Sequence, residues 1–200
     1  MRSAADAERL AALGLPGLQP LVLDVTDDVA AAAGLEEVGR WLAAGGLRLA
    51  ALVNNAGVNP EGRRLQTTPF EAAAWPAEPA VVEATLAVNV VGLLRVTRLA
   101  LPLLRRDGGR VVNVGSYFGS FAPLGLTQLA YAASKHGVEA LSDGLRRGLA
   151  ADGVAVSLVK PGNFKTGMNL IGDDSAVEVA AAVRDAIASP RPLPRCCSLL

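Results

Sequence analysis

The run Leu49-Ala50-Ala51-Leu52-Val53, passing without a break into Asn54-Asn55-Ala56-Gly57, holds the first clear structural signal in the chain. Five apolar residues in succession, with no alternation, suit a strand covered on both faces, as in a parallel sheet between helices. The two amides, the alanine and the glycine that follow suit the carboxyl end of such a strand. Small residues there let a flat ligand approach the backbone, and amides can tie neighbouring loops together.

Working outward, strand-like and helix-like segments alternate, which predicts an α/β fold with a parallel sheet. Upstream, Leu21-Val22-Leu23-Asp24-Val25 reads as a strand, Thr26 as a helix cap, and the alanine-rich stretch through Trp41 and Leu42 as a helix ended by Gly45-Gly46. Downstream, residues 58–80 carry Pro60, Pro69, Pro76 and Pro79 and read as a long loop. Apolar residues at three- and four-residue spacing predict a helix over 81–106, stopped by Asp107-Gly108-Gly109. Residues 110–114 form the next strand, 115–129 a loop, 130–152 a helix capped by Gly153, 154–159 a strand ended by Pro161-Gly162, and 175–189 a last helix.

Composition sets the frame. Two hundred residues, 51% of them apolar and 19% charged, suit one globular domain spanning 1–200, with residues 190–200 as a proline-rich tail. Nineteen basic and nineteen acidic side chains cancel, and no basic cluster marks a nucleic-acid partner. The first eighteen residues are too charged for a secretory signal, and no uninterrupted apolar run reaches the roughly 18 residues that span a bilayer. Cys196 and Cys197, adjacent near the C-terminus, lack metal-ligand spacing. The default expectation is a cytoplasmic protein without a metal site.

Chemistry concentrates in a few places. Tyr131 and Lys135 stand four apart on one helix face, where an ammonium beside a phenol favours the phenolate and makes the phenol a usable acid and base. Ser116 follows the 110–114 strand, where open α/β sheets place ligand sites and where a hydroxyl can stabilise a changing oxygen charge. Asn89 lies inside an apolar helix and demands a hydrogen-bonding partner. Taken singly, each has a plain alternative: a solvated helix face, a turn serine, a satisfied structural amide.

Together and in this order, Asp24-Val25, Asn54-Asn55-Ala56-Gly57, Asn89, Ser116 with Tyr131-x-x-x-Lys135, and Pro161-Gly162 with Thr166 resemble the short-chain dehydrogenase/reductase family. The resemblance implies a Rossmann-type doubly wound parallel sheet with helices on both faces, an NAD or NADP cofactor, and hydride transfer to or from an alcohol or carbonyl substrate. It implies Tyr131 as acid/base, Ser116 as the group polarising the substrate oxygen, Lys135 as the residue that lowers the Tyr131 pKa and binds the nicotinamide ribose, and Asn89 as holder of a relay water. Asp24 and Val25 would meet the adenine, Asn55, Ala56 and Gly57 would line the cofactor cleft, and Pro161, Gly162 and Thr166 would contact the nicotinamide end. Residues 139–147 and 161–166 are similar to the retinol- and hydroxysteroid-dehydrogenase-like branch, which implies a hydrophobic substrate. A homo-oligomer is also implied.

Several features depart from the family pattern. No strand and no Gly-rich turn precede Leu21, since Gly14 and Gly17 lack the spacing, so the chain reads as N-terminally truncated, without the first two strands and first helix. Two inner strand edges, at 21–25 and 49–53, should then lack partners. The separation of Ser116 from Tyr131 is wide enough that Ser120 is an alternative, and Gly148 interrupts the Tyr131 helix. Cys197-Ser198-Leu199-Leu200 reads either as part of a degenerate last strand or an arbitrary end, or as a prenylation box that would make a peripheral membrane enzyme. The alternative to an enzyme is an inactive remnant serving as an interaction module through helices 81–106 and 130–152.

Overall fold

The computed structural model describes residues 3–60, 78–121, 128–162 and 176–197. Within them, four parallel strands, β1 (Ala51–Asn54), β2 (Arg110–Val114), β3 (Ala155–Lys160) and β4 (Arg195–Cys197), lie side by side in that order. Arg110 stands opposite both Ala51 and Ala155, and Leu158 opposite Arg195, so the carboxyl ends of β1 to β3 finish at one rim of the sheet. The helices are α1 (Ala4–Ala11), α2 (Asp28–Ala44), α3 (Pro79–Leu86), α4 (Leu93–Asp107), α5 (Leu129–Gly148) and α6 (Ala176–Ala188).

Both faces of β2 and β3 are covered, whereas Val53 of β1 is exposed, so the two-sided cover expected of residues 49–53 is incomplete. On one face Val111, Val154 and Val156 pack with Ala100 and Leu104 of α4 and with Leu149, while Leu158 meets Leu93 of α4 and Val138 of α5. On the other face Val112 and Val159 pack with Ala186 of α6. The alternation of Val111 and Val112 between the two clusters is the period-two geometry of a strand. The parallel sheet with helices on both faces expected from the sequence is therefore present, its described strands in the order β1-β2-β3-β4.

Leu21–Val25, expected as a strand, joins no sheet among the described residues, and Val25 stands in a turn. A strand needs a neighbour for its backbone groups. Here the segment lies on helices instead: Arg95 Nη1 donates to the Val25 carbonyl at 2.6 Å, Leu21 and Leu23 approach Gly34, and Val25 sits so close to Gly92 that a Cβ there would be 2.7 Å from Val25 Cγ2. Asp24 closes a local turn by accepting from the Thr26 amide at 2.8 Å and its hydroxyl at 2.7 Å. The cap of α2 is accordingly Asp27, whose Oδ1 accepts from Val29 N and Ala30 N, and not Thr26.

The helix expected over 81–106 runs from Pro79 to Asp107, but residues Ala87–Gly92 form a π-helical turn between α3 and α4. The run 79–106 has a mean hydropathy of 1.6 in its best window and is long and apolar enough, by length and composition alone, to cross a bilayer. In this fold it supplies Leu93, Val96, Ala100 and Leu104 to the core. The Tyr131 helix ends at Gly148 instead of being interrupted there, and a 3₁₀ turn, Ala150–Asp152, leads to Gly153 in the left-handed conformation. Cys197 belongs to β4 and pairs with Lys160, which is the last-strand reading of the tail. Thr166, most of the 58–80 loop and Ser198-Leu199-Leu200 lie outside the described residues.

Candidate active site

A buried chain of amides and hydroxyls fixes the rim. Asn54, the last residue of β1, donates to Asn113 Oδ1 on β2 at 2.8 Å and to Thr97 Oγ1 on α4 at 2.9 Å. Asn113 in turn donates to Ser142 Oγ on α5 at 2.9 Å, and Ser142 donates to the Val138 carbonyl. Polar groups this deep are tolerated only when paired, and here each member locks one helix to the sheet. Asn113 and Ser142 carry no local sequence signal for this. Ser142→Ala is expected to destabilise the protein by about 1–2 kcal/mol, because the Asn113 amide loses its acceptor in the core; a urea midpoint unchanged from the parent would refute it.

Past β1 the chain bends across the π-helical turn. Asn89, 2% exposed, accepts from Val58 N at 2.8 Å and donates to Val58 O at 3.0 Å, a two-way clamp on the segment after Gly57. Its amide also donates to Ser134 Oγ at 2.9 Å, and Ser134 donates to the Tyr131 carbonyl at 2.7 Å. The partner demanded by a mid-helix asparagine is thus threefold, and the wider π turn is what presents it; such turns recur at functional sites. Gly57 passes so near that a Cβ would lie 3.4 Å from Asn89 Oδ1 and 3.8 Å from Lys135 Nζ.

Lys135 is 6% exposed, and its Nζ donates to the Val114 carbonyl at 2.9 Å. Burial pushes its pKa down to about 8, because the charged form has lost its water. The ammonium stands over the Tyr131 ring, 5.5 Å from its centroid. Tyr131 is hydrogen-bonded to Ser116, and this bond favours the phenolate, yet burial outweighs it and holds the phenol above its ordinary range, with Tyr117 adding to the rise. The net direction for the phenol is therefore upward, because desolvation dominates, with the cation standing over the ring face.

Ser116, 5% exposed, caps the short turn Tyr117–Gly119 by accepting from Phe118 N at 3.3 Å. It, and not Ser120, meets Tyr131; Ser120 is engaged by Lys160. Tyr117 N donates to the Pro161 carbonyl at 3.0 Å, which brings the end of β3 to the same turn. Tyr117, Phe118 and Phe121 form an aromatic group, with Tyr117 stacked on Phe118 at 4.3 Å and Phe118 edge-on to Tyr131 at 6.2 Å. Tyr117, Phe118 and Phe121 belong to none of the motifs legible in the sequence.

Ser116, Tyr131, Lys135, Asn89, Gly57 and Pro161 thus converge at the carboxyl rim of the sheet, where Asn55 and Ala56 are exposed. Val25 lies against Gly92, on the turn that carries Asn89, and takes a hydrogen bond from Arg95.

Known proteins share this pattern. A family described as short chain dehydrogenase matches residues 2–173. The chain is 41% identical over 151 residues to 17-beta-hydroxysteroid dehydrogenase type 6 of Bos taurus, covering 76% of this chain and 43% of the relative. It is 39% identical over 160 residues to human retinol dehydrogenase 16, covering 80% and 46%. It spans less than half the length of these curated relatives. Among solved structures, a short-chain dehydrogenase from Streptomyces avermitilis superimposes with a TM-score of 0.79 at 27% identity, covering 98% of this chain and 76% of that one. A gluconate 5-dehydrogenase from Burkholderia cenocepacia, solved with NADP and tartrate, gives 0.67 at 26% identity, covering 92% and 68%. On its sequence, its sheet order and the company its tyrosine keeps, the chain belongs to the short-chain dehydrogenase/reductase family.

Proposed function

We propose that the chain carries the catalytic part of an NAD(P)-dependent oxidoreductase that interconverts an alcohol and a carbonyl compound. The observation that carries the proposal is the hydrogen bond between Ser116 and Tyr131 next to a buried ammonium, Lys135. Tyr131 gives a proton to, or takes one from, the substrate oxygen, and Ser116 stabilises the charge that develops there. Lys135 keeps a cation beside the phenol, and Asn89, bordering the same space at Gly57, is the residue for a relay water.

The rim fits a dinucleotide. Gly57 leaves open the space beside Asn89 and Lys135 that a side chain would fill, and Asn55 and Ala56 are accessible at the strand end. Asn55, Ala56, Gly57, Lys135, Pro161, Gly162 and Thr166 would hold NAD or NADP, with Asp24 and Val25 toward its adenine. When bound, the cofactor supplies or takes up the hydride.

The substrate is proposed to be a hydrophobic small molecule, retinoid- or steroid-like, as the names of the relatives suggest. Of four Phe, two Tyr and two Trp in the whole chain, two Phe and both Tyr gather within one group, in which Phe118 joins the Tyr131 ring to the others. Flat rings of this kind bind flat apolar surface well. A constellation this complete has no purpose in an interaction module, so that alternative is the weaker reading.

Titrating the purified chain with NADH and NADPH and following nicotinamide fluorescence tests the reading. Saturable enhancement with one cofactor, at about 1–100 μM, is expected for the family's chemistry. No saturable binding of either by the chain, alone or extended upstream, would sink it.

A further inference from the structure

The turn that carries Ser116, the helix that carries Tyr131 and Lys135, and the end of β3 meet at one carboxylate. Glu139 lies one helical turn past Lys135 on α5, with its side chain only 12% exposed. Its Oε1 is 2.6 Å from the ammonium of Lys160, itself 8% exposed, and its Oε2 accepts from Arg195 Nη1 of β4 at 2.7 Å. Ser120, which closes the turn begun by Ser116, donates to Glu139 Oε1 at 3.5 Å and accepts from Lys160 Nζ. Lys160 directly precedes Pro161, whose carbonyl receives Tyr117 N.

The packing says the same without charge. A Cβ on Gly119 would come within 2.5 Å of Glu139 Oε1 and 2.9 Å of the Lys135 carbonyl. The Ser116 turn therefore lies flat on α5 between the catalytic lysine and Glu139, with no room to move inward. The apolar clusters that hold the sheet together do not include this region. A shielded ion pair is a poor source of net stability but a strict fixer of geometry.

We propose that Glu139 is a positioning residue: through Lys160 and Ser120 it seats the Ser116 turn on the Tyr131 helix, so that the two hydroxyls are already hydrogen-bonded when substrate arrives. The kinetic part of this rests on the dehydrogenase reading; the seating does not. A reacting group displaced by about 1 Å can cost two orders of magnitude in rate, so a loosened turn should be felt in turnover.

The test uses the full chain with Glu139→Gln, Lys160→Gln and the double variant, each in the parent and in a Ser116→Ala background. Amide hydrogen exchange of the unliganded protein reads the seating directly. Glu139→Gln should speed exchange across 115–121 by about fivefold or more while the β2 and β3 amides keep their parental rates. In turnover it should lower kcat about tenfold with KM for the cofactor unchanged, yet less than twofold once Ser116 is Ala, and the double variant should lose no more than Glu139→Gln. Ser120→Ala, which leaves the ion pair whole, should show a smaller loss that also vanishes without Ser116. Equal kcat losses in both backgrounds, unchanged exchange at 115–121, or faster exchange throughout the chain would overturn the proposal. If the parent transfers no hydride to any alcohol or ketone, the dehydrogenase reading falls and exchange alone decides the seating.

Discussion

Replacing Tyr131 by Phe is expected to lower turnover about a thousandfold while leaving KM for the alcohol within about twofold, since general acid–base groups contribute roughly 10²–10⁴ and the lost hydroxyl acts in the transition state. The substitution is conservative for the fold. The ring keeps its edge contact with Phe118, and Ser116 keeps the Phe118 amide as a donor to its hydroxyl oxygen. The pH dependence has a defined sign. Burial holds the phenol above its ordinary range, so at neutral pH it is protonated and ready to donate, which favours reduction of a carbonyl. Oxidation of an alcohol needs the ionised form and should rise with pH toward the phenol pKa. Ser116 contributes the one resolved effect that lowers that pKa, so Ser116→Ala should move the alkaline limb of the oxidation profile to higher pH as well as cut the rate about a hundredfold. A Tyr131→Phe variant with more than a tenth of parental turnover, measured with a steroid- or retinoid-type alcohol, would remove Tyr131 from the proposed role.

How far the sequence reveals this site depends on the range of the interactions. β2 is legible to the residue, because Arg110 to Val114 carries β-branched side chains that both faces bury. The spacing of Tyr131 and Lys135 is legible for the same local reason. Leu21–Val25 looks equally strand-like, yet strand formation needs a neighbour that a local pattern cannot supply, and Gly92 and Arg95 receive the segment instead. The π turn at Asn89 is silent in sequence, since apolar residues at three- and four-residue spacing look the same whether the backbone bonds close one residue later or not. Asn113 with Ser142, and Glu139 with Lys160, are pairings between distant residues that singly read as a strand polar group or a solvated charge. The upward direction of the phenol pKa comes from burial, a quantity that only the packed structure supplies.

Lys135 gives the second large effect, and it separates chemistry from stability. Its ammonium, ordinarily titrating at 10.5, is held down to about 8 by burial. At about 1.4 kcal/mol per unit, a shift of roughly two and a half units means that keeping it charged near pH 7 costs the folded state about 3 kcal/mol. The sign follows from linkage: between pH 8 and 10.5 the unfolded chain holds the proton that the folded one has released, so this group makes stability rise with pH across that window. Below pH 8 the full cost is present. Lys135→Met removes the cost but strips the Val114 carbonyl of its donor, which offsets about 1–2 kcal/mol. The variant should therefore be more stable than the parent by about 1–2 kcal/mol at pH 7, a rise in Tm of about 2–8 °C, and should lose that advantage by pH 10.5. Turnover should fall at least about a hundredfold at the same time, since the cation beside Tyr131 is gone. Denaturant melts at pH 7 and pH 10.5 check the first half, and steady-state rates the second. A Lys135→Met protein less stable than the parent at both pH values would mean that this lysine is kept for the fold; one more stable and inactive is what a residue retained for catalysis at the expense of stability requires.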